Sequence, residues 1–252
     1  LDARGDQSSP AGLQLVLLGG GPASQNLLSR AQSLGYPIAP TYGLTEAASQ
    51  VATRPPNVAG DPGGDLSGGL IPLPGVEVRV AREGSEEVAA ESVGEGGFAT
   101  EGEIEVRGPI VMAGYLDDRE ATRQVLREGW LSTGDFGRID SEGRLRVLDR
   151  RADLIVSGGE NVYPAEIESI LVEFEGVREA GVFGVRDPDF GARPIAVVVM
   201  HEGAHFDPVA LERFCRERMA SFKRPVDFRE AESLPRTATG KLRRRDLRAQ
   251  FA

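Results

Sequence analysis

The chain of 252 residues holds one cysteine, two histidines, no long apolar run and no surplus of positive charge. Each shortage removes a class of explanation. A lone cysteine, Cys215, cannot close an intramolecular disulfide, which fits a reducing compartment and predicts a cytoplasmic protein. No histidine neighbours it in sequence, and the run Leu211-Glu212-Arg213-Phe214-Cys215 places it on the inner face of a helix as inert core. No apolar stretch approaches the ~20 residues that a membrane-spanning helix needs. Lys and Arg number 29 against 39 Asp and Glu, a formal net charge of -10, so no global field draws in nucleic acid or an anionic membrane. A homo-oligomer is compatible with this composition. His201 and His205 lie beside Gly203 and ahead of Pro208, in a turn rather than on a metal-binding helix face. Leu1-Asp2-Ala3-Arg4 shows no initiator Met and no signal pattern, which reads as a chain cut from a longer polypeptide. Internal repeats and low-complexity tracts are absent as well.

What is present is patterned for a folded core. Leu13 to Leu18 predicts a buried strand, Gly19-Gly20-Gly21-Pro22 a turn, and about Ser24 to Leu34 a helix. Pro37 to Thr41 is extended, so the order is strand, glycine turn, helix, strand, the texture of a parallel α/β unit. From Asp61 to Gly108 the alternating segments Val76 to Val80 and Glu103 to Val106 predict short antiparallel strands. The acidic stretch Glu83 to Glu95 reads as a solvated hairpin loop. Glu120 to Glu128 reads as a helix ending before Gly129, with two strands after it around Ser141-Glu142-Gly143. Further on, Val182 to Val185 and Ile195 to Met200 are strands, Pro208 to Met219 is a long helix, and a polar tail closes the chain. About 100 residues suffice for an independent core, so a domain boundary is expected at 151/152.

The densest chemistry lies between Asp149 and Glu166. Two arginines and Ala152-Asp153 precede a short apolar strand, Leu154-Ile155-Val156, which reads as buried. Gly158-Gly159 lets backbone approach a partner closely, and Pro164 suits the first turn of a helix. Taken alone, Arg150-Arg151 is a solvated turn. Thr41-Tyr42-Gly43-Leu44-Thr45-Glu46 sets two hydroxyls, an aromatic ring and a carboxylate around one glycine. Such a loop can stack a base on Tyr42, bond a phosphate through Thr45 and hold Mg²⁺ through Glu46. Taken alone, an N-cap at Thr45 explains it more simply. Gly19-Gly20-Gly21-Pro22 lacks both the spacing of a dinucleotide fingerprint and the lysine of a Walker loop, which leaves a strand-to-helix turn. Asp135-Phe136-Gly137 imitates a kinase triplet, but a kinase needs an H-R-D-type loop upstream and both histidines lie downstream. Pro235 to Leu242 places Lys241 after Gly240 in a polar, extended loop. Between Arg236 and Arg248 six basic residues face Asp246 alone, ordinarily a solvated face or a helix end.

Asp149 through Glu166 closely resembles the hinge of the adenylate-forming acyl-CoA synthetase superfamily, and the resemblance runs over nearly the whole chain. It implies an acid–thiol ligase, in which ATP converts a carboxylate to an acyl-adenylate and CoA then displaces AMP to leave a thioester. It also implies an α/β fold, α+β in parts. Residues 1–151 would close a parallel α/β N-terminal domain with a small antiparallel β subdomain, and 152–252 would form a small mobile α+β domain. Roles carry over residue by residue. Tyr42, Gly43 and Thr45 contact base and phosphate, and Glu46 holds Mg²⁺. Gly20, Gly21 and Pro22 lie against adenine, with Gly19 beside the acyl substrate. Asp135 accepts both ribose hydroxyls, which suits an acceptor-only carboxylate. Arg150 joins it on ribose and phosphate, and Gly158 and Gly159 line the channel for CoA. Lys241 bridges the substrate carboxylate and the α-phosphate, completing a catalytic set with Thr45 and Glu46. At the hinge the family usually has Asp or Lys; Ala152 departs from this and supplies no polar contact of its own.

Within the superfamily, Leu17 to Ala23, Thr45 to Gln50 and Asp149 to Glu166 look most like the branch acting on o-succinylbenzoate in menaquinone biosynthesis. Ser49 then donates to the distal part of that acid, or is simply a polar residue at a helix start. The Ser/Thr/Gly-rich, Lys-ending loop that grips the β- and γ-phosphates does not occur in these residues, so alone they are expected to be inactive. The rivals are a medium-chain or aryl acyl-CoA ligase and a non-catalytic nucleotide- or CoA-binding module.

Overall fold

The computed structural model describes residues 5, 7–21, 25–54, 69–81, 101–238 and 240–252. The start of the chain at 1–4, Pro22 and Ala23, the acidic stretch between Glu83 and Glu95 expected to form a hairpin loop, and Thr239 lie outside the described residues. The chain divides into two compact units, Leu1–Leu148 and Asp149–Ala252. Among the described residues no helix is long and apolar enough to cross a membrane.

In the first unit β1 (Val16–Leu18), α1 (Gln25–Ser33) and β2 (Ile38–Tyr42) make a β-α-β step, with the two strands parallel and Leu17 opposite Ala39. Antiparallel β3 (Ala52–Thr53) and β4 (Ile71–Pro72) extend the sheet in the order β1-β2-β3-β4. The buried strand expected over Leu13 to Leu18 is corrected here. Only its last three residues are strand, and Leu17 is 50% exposed. As an edge strand, β1 has one face packed, where Val16 and Leu18 meet Leu28, Ala31 and Ile38.

A second sheet follows, with β5 (Glu77–Ala81), β6 (Glu101–Arg107), β7 (Leu126–Arg127), β8 (Trp130–Ile139) and β9 (Leu145–Arg150) in the order β5-β6-β8-β7 and β9 also on β8. β5 (Glu77–Ala81) pairs with β6 (Glu101–Arg107), whose alternate residues Ile104 and Val106 are fully buried. The helix expected over 120–128 is shorter. α2 (Arg119–Val125) is capped by Asp118, whose side chain accepts from Ala121 N, and gives way to β7 (Leu126–Arg127). Glu128 and Gly129 both take positive φ (50° and 80°), which makes a two-residue hairpin turn into β8 (Trp130–Ile139) and cuts the helix off. β9 (Leu145–Arg150) leads out of this unit.

The second unit comprises β10 (Ile155–Ser157), β11 (Glu160–Val162), α3 (Pro164–Leu171), β12 (Val177–Asp187), β13 (Gly191–Met200), α4 (Pro208–Arg218), β14 (Phe228–Glu230) and α5 (Arg244–Phe251). β13 pairs antiparallel with β12 and β10 and parallel with β14. Its continuous apolar run, Ile195 to Met200, exists because both faces are covered. Ala196, Val198 and Met200 share a core with Ile167, Leu171, Leu211 and Cys215 of α3 and α4, while Ile195, Val197 and Val199 pack with Leu247 of α5. The polar tail is thus a helix with one buried anchor. β10 buries only Ile155 and Ser157; Val156 is 49% exposed, so the strand expected to be buried is covered on one face only.

Cys215 is fully buried, and burial pushes its thiol up to about 11. At pH 8 roughly one thiol in a thousand is then ionised, against about one in ten at the ordinary value. A disulfide reagent should therefore label the folded protein at least ~100-fold more slowly than the urea-unfolded chain. Equal labelling rates would show the thiol to be accessible and remove it from the core.

Candidate active site

Two loops leave the carboxyl ends of the neighbouring parallel strands, 19–21 after β1 and 43–46 after β2. That edge of an open α/β sheet is where ligands bind. The loops touch at their roots: a Cβ on Gly19 would stand 2.8 Å from Thr41 Cγ2, and Thr41 Oγ1 is itself 2.8 Å from Thr53 Oγ1. Gly43 is required by a sharper constraint. The chain returns on itself so closely that a Cβ there would collide with the Ser49 carbonyl. Ala47 N and Ser49 N both donate to Leu44 O at 3.1 Å to hold that return. It forces Ala48 and Ser49 into positive φ (49° and 92°), at about 1–3 kcal/mol for each non-glycine residue so placed. Thr45 is not the helix cap. A single 3-10 turn spans Thr45–Ala47, and Leu44 takes the cap position without a side-chain hydrogen bond. Thr45 and Ser49 are exposed, and Glu46 is half-buried between them.

Tyr42 ends β2, and its hydroxyl donates to Asp135 Oδ2 at 2.8 Å. Asp135 is only 8% exposed. It owes its direction to a bulge in β8, where Thr133-Gly134-Asp135 lie opposite Ile104 alone, between the pairs Glu105–Ser132 and Glu103–Phe136. Thr133 Oγ1 donates to Ile104 O at 2.8 Å and accepts from Asp135 N at 3.1 Å, and Gly134 N donates to Glu103 Oε1 at 3.1 Å. The bulge is therefore pinned on both sides.

Glu46 Oε1 accepts from the Tyr115 hydroxyl at 3.0 Å, and Glu46 O accepts from Met112 N at 2.8 Å. Burial, and then the Glu46 carboxylate, hold the Tyr115 phenol above its usual range. Nothing in the sequence singled out Tyr115, which follows Gly114 in a stretch without periodicity. Among the described residues no group of three or more His, Cys, Asp or Glu could hold a metal. Glu46 fits Mg²⁺ only in company with phosphate oxygens, which is the ligand set that ion prefers. His201 and His205 are both exposed.

Most of the remaining candidates belong to the second unit. Arg150 and Ala152 are exposed, the first at the end of β9 and the second in the 3-10 turn Arg151–Asp153. Gly158 and Gly159 are the two turn residues of the β10–β11 hairpin, at φ 61° and 85°, and Gly158 N donates to Phe190 O at 2.8 Å. The Lys241 loop is tied down more firmly than a polar glycine-containing stretch suggests. Lys241 N donates to Thr237 Oγ1 at 3.1 Å, and its carbonyl accepts from Thr237 N at 2.8 Å. Arg236 donates to Gly240 O at 2.7 Å and pairs with Glu179 of β12. The backbone is fixed while the Lys241 side chain is exposed. Gly20 and Gly21 are exposed in the first loop.

Residues 2–116 match the family described as AMP-binding enzyme, and residues 166–241 match the AMP-binding enzyme C-terminal domain. The 2-succinylbenzoate–CoA ligase of Geobacillus kaustophilus is 43% identical over 97% of this chain and 47% of its own length. That of Bacillus subtilis is 41% identical over 95% of this chain and 46% of its own. The solved o-succinylbenzoate CoA synthetase of Bacillus subtilis, in complex with the acyl-adenylate intermediate OSB-AMP, aligns with a TM-score of 0.83 at 40% identity, covering 96% of this chain and 47% of that one. The chain spans about half the length of the curated relatives it matches. With both stretches matched, and with this likeness of fold across both of its units, the chain belongs to the AMP-binding enzyme family.

Proposed function

We propose that the full-length protein carrying these residues is an AMP-forming acid–thiol ligase, with o-succinylbenzoate as its acid. The observation that supports this best is the Tyr42–Asp135 hydrogen bond at the carboxyl edge of β1 and β2. It sets a base-stacking ring beside a carboxylate able to take ribose hydroxyl protons, next to the loop that carries Glu46. The names of the relatives and the acyl-adenylate in the aligned structure support the substrate.

In the first step a carboxylate oxygen attacks the α-phosphorus of ATP, the bond to the β-phosphate oxygen breaks, and pyrophosphate leaves. Thr45 and Lys241 meet the charge that builds on the α-phosphate. Glu46 would hold Mg²⁺, which screens the phosphates when bound. Gly20, Gly21 and Pro22 lie along the adenine, and Gly19 and Ser49 meet the acid. In the second step the CoA sulfur attacks the acyl carbon, the thiol proton is lost, and the bond to AMP breaks. Gly158 and Gly159 line the thiol's approach, and Arg150 joins Asp135 on the ribose. On this reading 1–151 close the nucleotide-binding domain, and 152–252 swing about Ala152 to alternate the two steps. The buried, unreactive Cys215 is in keeping with a cytoplasmic setting.

The test is carboxylate-dependent ATP–pyrophosphate exchange and AMP release across a panel of acids. Preference for octanoate would overturn the substrate and leave the ligase. Nucleotide binding without any exchange would favour a non-catalytic binding module. The 252 residues by themselves should show no exchange, because they contain no loop suited to the β- and γ-phosphates. Exchange by this stretch alone would contradict that assignment of parts.

A further inference from the structure

The Glu46 carboxylate is held from a stretch that belongs to none of the sequence motifs. The Tyr115 hydroxyl donates to Glu46 Oε1 at 3.0 Å, and three residues earlier Met112 N donates to the Glu46 carbonyl at 2.8 Å. One segment thus grips the same residue by its side-chain tip and by its backbone. Met112, with Ile110 and Val111, packs against the core that contains Ala47, the residue after Glu46. With backbone and tip both fixed, the torsions between them lose their freedom before any ligand arrives.

Tyr115 is itself placed rather than left to swing. Its N–H donates to Thr122 Oγ1 at 2.9 Å, and that hydroxyl donates on to Asp118 O at 2.8 Å. Asp118 is the cap of α2 and accepts from Ala121 N at 2.9 Å, while Asp117 turns the chain ahead of it at φ 55°. Gly114 takes φ 146°, and a Cβ there would stand 2.8 Å from Thr122 Cγ2, so only glycine lets the turn close on the helix. The tyrosine is thereby tied to the start of α2. It stays 38% exposed, so the position of its hydroxyl accounts for this turn better than packing does. A phenol is also neutral. It directs a carboxylate without offsetting the negative charge, whereas a lysine or arginine in its place would compete with a cation for that charge. A carboxylate offers about four acceptor sites, so one bond from a phenol leaves room for a metal ion.

We propose that Tyr115 is a positioning residue for magnesium, holding the Glu46 carboxylate in the direction from which it takes the ion that accompanies the ATP phosphates. The proposal rests on Glu46 as the magnesium ligand, and its test reads binding rather than turnover. ATP, without the acid so that no bond breaks, is titrated calorimetrically into the full-length protein with Mg²⁺ and again in EDTA. The ratio of the two Kd values is the gain that the metal supplies. Tyr115→Phe keeps the ring and every backbone bond of the turn. It should cut that gain about tenfold, or to nothing where the gain is smaller, the usual cost of losing a group that orients a metal ligand. Its Kd in EDTA should stay within about twofold of wild type, because the nucleotide contacts themselves are untouched. Glu46→Gln keeps the shape, drops the charge and should lose the gain altogether. Adding Tyr115→Phe to Glu46→Gln should then change nothing further, because both act through one ligand. If Glu46→Gln loses the gain and Tyr115→Phe keeps it within about twofold, the positioning role is overturned and Glu46 stays a metal ligand. If Tyr115→Phe weakens ATP equally in EDTA, the tyrosine is scaffolding for the nucleotide loop, and the positioning role is overturned. If Glu46→Gln keeps the gain, the magnesium assignment falls and takes the positioning role with it.

Discussion

Lys241→Ala is expected to slow adenylation by ~10²–10³-fold while thioester formation from supplied acyl-adenylate stays within about an order of magnitude of wild type. The asymmetry follows from where charge develops. Negative charge meets at the α-phosphate when the carboxylate attacks, and a lysine ammonium there is worth most in that transition state. On the proposed reading, when CoA attacks the acyl carbon the phosphate is a leaving group already bonded as AMP, and a second orientation of the domain would have removed the lysine. The loop is built for such delivery, with its backbone fixed by Thr237 and by Arg236 on Gly240, and its side chain exposed. Because those bonds use backbone atoms of Lys241, truncating its side chain should leave the loop intact. Pyrophosphate exchange measures the first step, and rapid-quench turnover of the acyl-adenylate measures the second. A parallel fall in both would make the loop structural or the alternation wrong. A change in neither would return Lys241 to the solvated charges of a basic tail.

Asp135→Ala is expected to weaken ATP binding by about 10²-fold or more. On the proposed reading two charge-assisted hydrogen bonds to the ribose would be lost at roughly 1.5–3 kcal/mol each, and every 1.4 kcal/mol is about tenfold. Tyr42→Phe separates binding from scaffolding, because it keeps the ring and removes the 2.8 Å bond from the hydroxyl to Asp135. Its effect on the Kd for ATP should stay within about tenfold. Titration of each variant with ATP decides the matter. A Kd unchanged within about twofold in Asp135→Ala would take Asp135 out of the ribose site and leave it as a buried partner for Tyr42.

Much of this was legible in the residues, and the reasons are local. The step from β1 through α1 to β2 follows from an apolar run, a glycine turn and helical spacing within thirty or so residues. β12, β13 and α4 follow from the same kind of pattern. The misreadings were also local, because periodicity cannot see what covers a strand. Leu17 and Val156 are as apolar as any core residue, yet the described residues leave each about half exposed. The helix expected to run to Glu128 stops at Val125 because the chain turns at Glu128 and Gly129, and a positive φ at a glutamate leaves no compositional sign.

The sequence by itself determined the residue types of the site and their order. Gly43, Thr45, Glu46, Asp135, Gly158, Gly159 and Lys241 stand in short motifs whose chemistry is legible without coordinates, and these motifs sufficed to name the family. Only the tertiary structure decided which of them meet. Tyr42 and Asp135 come from different sheets and are joined by a bulge. Tyr115 reaches Glu46 across 69 residues, and Asp149 caps a helix that begins fifteen residues later and shares Arg244 with Glu168. The physical reason is the reach of each interaction. Backbone preference and hydrophobic period act over a few residues and are written in composition. A hydrogen bond or ion pair acts over about 3–4 Å in space, and which two side chains come within that distance is fixed only after the whole chain has packed.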